Sequence, residues 1–205
     1  MCVVNSQTVI VNSANDIFSG VRKSLQQLGK FSESELEILT SKLKVKTIPK
    51  DDFILKAGKV CQSFHFVNHG SLRQYLISTD GTELTLNLFA EAEWALDYHS
   101  FTSQKSCGSD IQALEQTEVF EFDVYSLHAL ISQSQSFFKV AKLLESGLLD
   151  VLFYNGISSP EEKYLELLRK KPVWIQKFPL KYIASYLRMT PETLSRVRRK
   201  INRSH

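Results

Sequence analysis

The chain has 205 residues, 43% hydrophobic and 23% charged, with a formal net charge of +3, a balance that excludes a disordered polyelectrolyte and fits a globular protein. No stretch approaches the ~18 uninterrupted apolar residues of a membrane span. The three cysteines, Cys2, Cys61 and Cys107, are too scattered for a disulfide framework or a C-x-x-C metal pair, which predicts a reducing, cytoplasmic setting.

The charge is unevenly placed. Residues 160–205 hold 12 Lys/Arg against 4 Asp/Glu, a net of +8, and the first 159 hold 13 against 18, a net of −5. An acidic body carrying a basic module for a polyanion is the simplest reading.

In chain order, the opening residues MCVVNSQTVIVNSAN lack a basic n-region, so no secretory leader is expected. A helix is predicted over Asp16–Leu28. A second begins at FSESELEIL, where Ser32 and Glu35 have capping-box spacing and Leu36, Ile38 and Leu39 open an apolar face. Both read as packing elements.

From Val45 to Phe122 the texture changes to short runs rich in β-branched and aromatic residues, punctuated by Gly58, Gly70 and Gly81. Thr79-Asp80-Gly81-Thr82 predicts a hairpin with a type I′ turn, because Asp-Gly tolerates positive φ. The pattern predicts a small antiparallel barrel or roll. Asp51-Asp52 reads as a turn. Phe64, Phe66, Phe89 and Trp94 read as core. His65 and His69 lie on a strand and its turn, where an i+4 pair does not converge on a metal. Asp97, His99 and Ser100 lack a nucleophile-elbow pattern, and no catalytic site is expected.

A long helix is predicted from Ser134 to Tyr154. Phe137, Val140, Ala141, Leu144, Leu148 and Val151 form one stripe, and Phe138, Leu149, Leu152 and Phe153 extend it to a second side. A helix apolar on two sides needs two covers: the roll, and a second copy of the same helix approaching near Gly147. NGISSPEE ends this run, placing a boundary at 156–160. Ser159, Pro160 and Glu162 restart a helix with Tyr164, Leu165, Leu167 and Leu168 inward, and Pro172 stops it.

The last segment, LKYIASYLRMTPETLSRVRRKI, carries two short amphipathic helices. Leu180, Ile183, Ala184 and Leu187 have i, i+3, i+4, i+7 spacing. After the break at Arg188-Met189, Thr190 reads as N-cap and Pro191 as N1. Leu194, Val197 and Ile201 form the inner stripe. Glu192, Ser195, Arg196, Arg199 and Arg203 fall on the opposite face, with Lys200 beside it and Arg198 nearer the stripe. One anchored stripe and one cationic face are what a helix entering the DNA major groove requires. Arginine matches guanine bidentately, lysine neutralises phosphate, and Thr190, Thr193 and Ser195 can donate to phosphate at the helix start.

The stretch IASYLRMTPETLSRVRRKI resembles the helix-turn-helix of the Crp/Fnr superfamily of bacterial transcription regulators, particularly the branch common in Bacteroidetes. EEKYLELLRKKP, NLFAEAEW, IQALEQTEVFEF and the segment KDDFILKAGKVCQSFHFVNHGSLRQYLISTDGTELTL extend the resemblance over roughly residues 25 to 203. It implies an α+β fold: an N-terminal cyclic-nucleotide-binding-like β-roll (1–133), a dimerisation helix (134–157) and a helix-turn-helix domain (158–205). It implies a dimeric DNA-binding regulator, not an enzyme. Double-stranded DNA, a second copy of the chain and RNA polymerase are the expected partners, with no membrane. Glu192 and Arg196 match the family's base readers, and Lys181, Thr190, Thr193, Ser195, Arg199 and Lys200 complete the expected DNA contacts.

The chain departs from the family where the tight turn often has glycine and this sequence has Arg188, at a cost on the order of 1 kcal/mol for positive φ. Pro191 stands where many members have arginine, and the cysteines of an iron–sulfur cluster are absent. Nucleotide-binding members clamp the cyclic phosphate with a Gly-Glu pair and an Arg-Ser/Thr pair. The corresponding AEAEWALDYHSFTSQKSCGSDIQAL contains no arginine. Lys105 is its one cation, and Glu91, Glu93, Asp97 and Asp110 would repel a phosphate. Cyclic AMP is therefore not the expected effector. No cofactor or metal is expected, and the effector is left open, with Trp94, Asp97, Ser100 and Lys105 as candidate pocket residues. Two other classes fit parts of the same sequence: a signalling or interaction module whose basic tail does not read DNA, and a cupin-type enzyme, disfavoured because no His/Glu metal constellation appears.

Overall fold

The computed structural model describes residues 17–143 and 159–203. Two antiparallel four-stranded sheets face one another. In the first, β1 (Lys44–Ile48), β8 (Thr117–Asp123), β3 (Ser63–His69) and β6 (Trp94–Ala95) lie in that order. In the second, the order is β2 (Phe53–Leu55), β7 (Asp110–Ala113), β4 (Leu72–Ile77) and β5 (Glu83–Phe89), so β5 is an edge strand.

Alternation divides the first sheet into two faces. Phe64 pairs with Phe122 and Phe66 with Phe120. These four rings are buried under α1 (Ser19–Leu28), whose Val21 and Leu25 are fully covered. Burial of each such side chain stabilises the fold by roughly 1.5–3 kcal/mol. Phe18 meets Phe120 edge-on at 4.9 Å, and Trp94 meets Phe64 and Phe66 the same way at 5.3 and 5.1 Å. The aromatic residues are thus core, as their pattern predicts. α2 (Glu33–Thr40) starts at the expected capping box: the Glu35 amide donates to Ser32 Oγ, and the Ser32 amide donates to Glu35.

Several local expectations change. α1 begins at Ser19, and Asp16 lies outside the described residues. Ile38 is 41% exposed, because α2 buries Leu36, Leu39 and Thr40 instead. The 78–82 hairpin is not type I′. The Gly81 amide donates to the Ser78 carbonyl, and in the turn only Gly81 has positive φ, at 82°. This is a four-residue turn closed by a left-handed glycine, which needs just one permissive residue where type I′ needs two. Asp80 is held in place by its hydrogen bonds to Ser78 and the Thr82 amide, which lower its carboxyl below the usual value. Gly70 has φ of 97° and lies against the Thr117 backbone, where no Cβ fits.

After α4 (Val124–Gln133), Ser134 does not open an α-helix. It caps a 3-10 run over Gln135–Ala141. Phe137, Val140 and Leu143 sink into the roll core while Phe138 is 57% exposed on the other side. The rest of the predicted long helix, with Leu144, Gly147, Leu148, Leu149, Val151, Leu152 and Phe153, lies outside the described residues, as do residues 156–158 of the predicted boundary at 156–160.

The C-terminal part is helical. Ser159 caps α5 (Pro160–Lys170) by accepting from the Glu162 amide at 3.4 Å. Tyr164 and Leu167 are buried, but Leu165 is 45% exposed, turned to solvent by the helical period. Pro172 does more than stop α5. It occupies the first turn of α6 (Pro172–Lys177), where its missing N–H costs nothing. α7 (Leu180–Tyr186) and α8 (Pro191–Arg203) follow.

Candidate DNA interface and the interior of the roll

α7 and α8 pack through the residues their periodicity selects. Ile183, Ala184 and Leu187 are buried, as are Leu194 and Val197. The turn between them is a well-formed Schellman motif: the Met189 amide donates to the Ala184 carbonyl at 3.0 Å, and the Arg188 amide to Ser185 at 3.1 Å. Arg188 occupies the left-handed position with φ of 59°. The motif is therefore undistorted although glycine is absent, and the Arg188 guanidinium gains a bond to the Thr85 carbonyl at 3.2 Å. Thr190 caps α8 by accepting from the Thr193 amide, with Pro191 next.

The face opposite Leu194 and Val197 is open. Glu192, Arg196, Arg199, Lys200 and Arg203 are exposed, and Thr193 and Ser195 are half-buried beside them. The carboxyl of Glu192 is lowered by its own backbone amide and the Thr190 hydroxyl, with a smaller contribution from Arg196, so it is an anion beside arginines. Lys200 is 3.0 Å from Glu161 at the start of α5. Lys181 is exposed on α7, its ammonium 4.8 Å from the Tyr182 ring. The structure thus gathers Glu192, Ser195, Arg196, Arg199 and Lys200 on one surface, with Thr190 and Thr193 at its N-terminal end.

The four candidate pocket residues lie on β6 and the segment that follows it. Trp94 is core and donates to Ser24 Oγ at 2.9 Å. Asp97 caps α3 (Tyr98–Ser103) through the Ser100 amide, and its other oxygen accepts from Gln74 at 3.0 Å and Ser109 at 2.7 Å. Ser100 Oγ accepts from the Cys61 amide and donates to the Lys105 carbonyl at 2.5 Å. The Lys105 side chain is exposed. Three of the four therefore meet through α3 hydrogen bonds.

Between the sheets lies a cavity of about 220 Å³, lined by Leu55, Cys61, His65, Leu96, Ile111 and Glu121 among others. Glu121 faces Lys46 and His65, and the imidazole first, then Lys46, lowers its carboxyl to about 2 against an opposing desolvation. Burial raises the Cys61 thiol to about 11 and raises Cys107 as well, so both are inert. These residues include no arginine to clamp a cyclic phosphate. Arg73, one of two arginines before residue 160, is committed to Thr85 and Glu83 and stacked on Tyr75 and Tyr182 at 4.5 and 4.1 Å. Of the acids expected to repel a phosphate, Glu93 and Glu91 instead face Lys171 and Lys177, and Asp110 accepts from the Ala57 amide.

One set of residues escaped the sequence reading. The helical unit is seated on β5 and the adjoining turns. Leu88 and Ala90 join its apolar core with Trp174, Phe178 and Ile183. Thr85 donates its amide to Ser185 Oγ at 2.9 Å, and Glu93 accepts from Trp174 Nε1 at 2.9 Å. Lys177 is 2.9 Å from Glu115. The opposed charges of the two parts were the one available signal.

The cyclic nucleotide-binding domain family matches residues 45–134. No curated relative matches the chain in sequence. Among solved structures, FixK2 from Bradyrhizobium japonicum aligns with a TM-score of 0.67 at 18% identity, over 79% of this chain and 85% of that one. The c-di-GMP-responsive global regulator CLP of Xanthomonas campestris aligns at 0.60 and 17%, over 84% and 93%. The catabolite activator protein of Thermus thermophilus aligns at 0.53 and 22%, over 88% and 87%. At identities this low the alignments show a shared fold alone. Among the described residues no helix is long and apolar enough to cross a membrane, and no group of three metal-ligating side chains occurs.

Proposed function

We propose that this chain, which carries a cyclic nucleotide-binding-type roll and shares the fold of Crp/Fnr regulators, is a dimeric DNA-binding transcription regulator and not an enzyme. The observation that carries the reading is the exposed face of α8. Arg196, Arg199, Lys200 and Arg203 stand in solvent while Leu194 and Val197 anchor the same helix to α7. Arg196 and Glu192 read base edges, and Lys181, Thr190, Thr193, Ser195, Arg199 and Lys200 contact the backbone. The apolar stripe that the sequence predicts over Leu144, Leu148 and Val151 pairs two copies, so that two α8 helices reach half-sites one helical turn, ~34 Å, apart. The protein works in the cytoplasm, with promoter DNA and RNA polymerase as partners. Cyclic AMP is not the effector of the roll, which takes another ligand or serves as a structural dimer platform without one: its cassette has Lys105 in solvent and an acid, Asp97, buried at its centre.

The test is binding to a duplex selected from random sequence, at two salt concentrations. Arg196→Ala costs ~1–3 kcal/mol on the selected site. Lys200→Ala weakens all sequences alike and flattens the salt slope by about one unit or less, since Glu161 already pairs with it. Unchanged affinity in both variants rejects this face. Leu148→Glu gives monomers by sedimentation, because an unpaired carboxylate in an apolar interface is costly; a wild-type monomer at micromolar concentration refutes the dimer.

A further inference from the structure

We infer that Glu93 is a positioning residue for the reading helix: its carboxylate latches the helical unit onto the edge of the roll and so sets the direction in which α8 points. The inference rests on the proposed reading of α8 as the DNA-contacting helix.

The unit is seated on β5 by an apolar seam and by directional bonds at both ends of the strand. Leu88 and Ala90, 0% and 3% exposed, supply the seam. Apolar contact is non-directional, so the seam holds the unit down without fixing its rotation. At one end Thr85 is clasped on both backbone groups, its amide by Ser185 Oγ and its carbonyl by Arg188. At the other end Glu93 Oε1 takes Lys171 Nζ at 2.5 Å and Oε2 takes Trp174 Nε1 at 2.9 Å. Lys177 adds a third point at Glu115, which follows β7 and so lies across β4 from β5. Three points that do not lie on one line fix a rigid body.

Of the three, Glu93 joins two side chains of the helical unit through one carboxylate. It makes charge-assisted bonds to a lysine and to an indole in one place. The turn that carries it is held rather than loose. Ala92 has φ of 66°, the Ala92 amide donates to the Val67 carbonyl at 2.9 Å, and Glu93 Oε2 also accepts from the Ala90 amide at 2.8 Å. A non-glycine residue in this region persists when its surroundings over-determine it. On the far side, Trp174 is 2% exposed and packs edge-on against Tyr186, the last residue of α7, at 5.1 Å. The path from Glu93 to α8 therefore runs through Trp174 and α7 and one Schellman turn. Glu93 also directly precedes β6, which leads to Asp97 and α3. A displacement of that segment moves Glu93 and with it the seat of the helical unit.

The experiment uses the full chain with Glu93→Gln, which keeps size and loses charge, and with Lys171→Met. The Thr85 amide, whose acceptor is Ser185 across the seat, reports docking without DNA. Its hydrogen exchange rises about tenfold or more in either variant, and no further in the double variant, while the amides of β4 are unchanged. On DNA, a selected duplex with two half-sites loses about tenfold affinity, whereas a duplex with one half-site changes less than about twofold, since a loosened unit still reads one half-site. Unchanged Thr85 exchange, or an equal loss on both duplexes, overturns the latch. If the wild type binds no selected duplex, the reading of α8 fails, and Thr85 exchange still decides whether Glu93 holds the unit in place.

Discussion

Removing the Asp97 carboxylate will destabilise the roll by an amount its hydrogen bonds allow to be counted. One oxygen caps α3 through the Ser100 amide at 2.9 Å, and loss of such a cap costs ~1 kcal/mol. The other accepts from Gln74 and Ser109, which are 7% and 2% exposed and cannot turn to water. Gln74 and Ser109 are also bonded to each other at 2.9 Å, so each keeps one partner. The second oxygen therefore counts about once, at ~1.5–3 kcal/mol for a bond to a charged group. Asp97→Ala should cost about 2.5–4 kcal/mol, a large fraction of a domain's stability. Asp97→Asn preserves the cap but sets an amide nitrogen against Gln74 Nε2. It should cost ~1–2 kcal/mol, because Ser109 can reverse its hydroxyl. Urea unfolding followed by tryptophan emission measures both. An alanine cost below about 1 kcal/mol, or an asparagine cost equal to it, refutes the count and would return Asp97 to a ligand role.

Two further outcomes are expected. Gly70→Ala puts a Cβ 2.8 Å from Thr117 Cα and 2.9 Å from the Gln116 carbonyl at a φ of 97°, so unfolding free energy should fall by at least ~2 kcal/mol in the same urea assay. Glu121 has a folded-state value of about 2, below its unfolded value, so its stabilising contribution is present above about pH 4.5 and is lost as pH falls towards 2; urea midpoints at pH 5, 4, 3 and 2 should decline less steeply in Glu121→Gln than in the wild type.

The features read correctly from the sequence are those whose causes lie within a few residues. The Ser32–Glu35 capping box, the Ser159 and Thr190 caps and the buried stripes of α7 and α8 depend on hydrogen bonds and periodicity inside a single turn or helix. The cationic face of α8 follows from the same periodicity. What the sequence could not decide involves partners far along the chain. Ile38 and Leu165 are apolar in the right windows, yet they face solvent because, among the described residues, no other element covers them. Asp97 stands beside Ser100 in sequence, but its role as an anchor comes from Gln74, 23 residues away. Gly81 alone carries the positive φ of a turn for which Asp-Gly offered two candidates. Glu93 and Lys171 are 78 residues apart, and Thr85 and Arg188 are 103 apart. Which acidic residues of the roll meet which lysines of the helical unit depends on how β5 ends up at the sheet edge, and only the folded chain brings those groups within hydrogen-bonding distance.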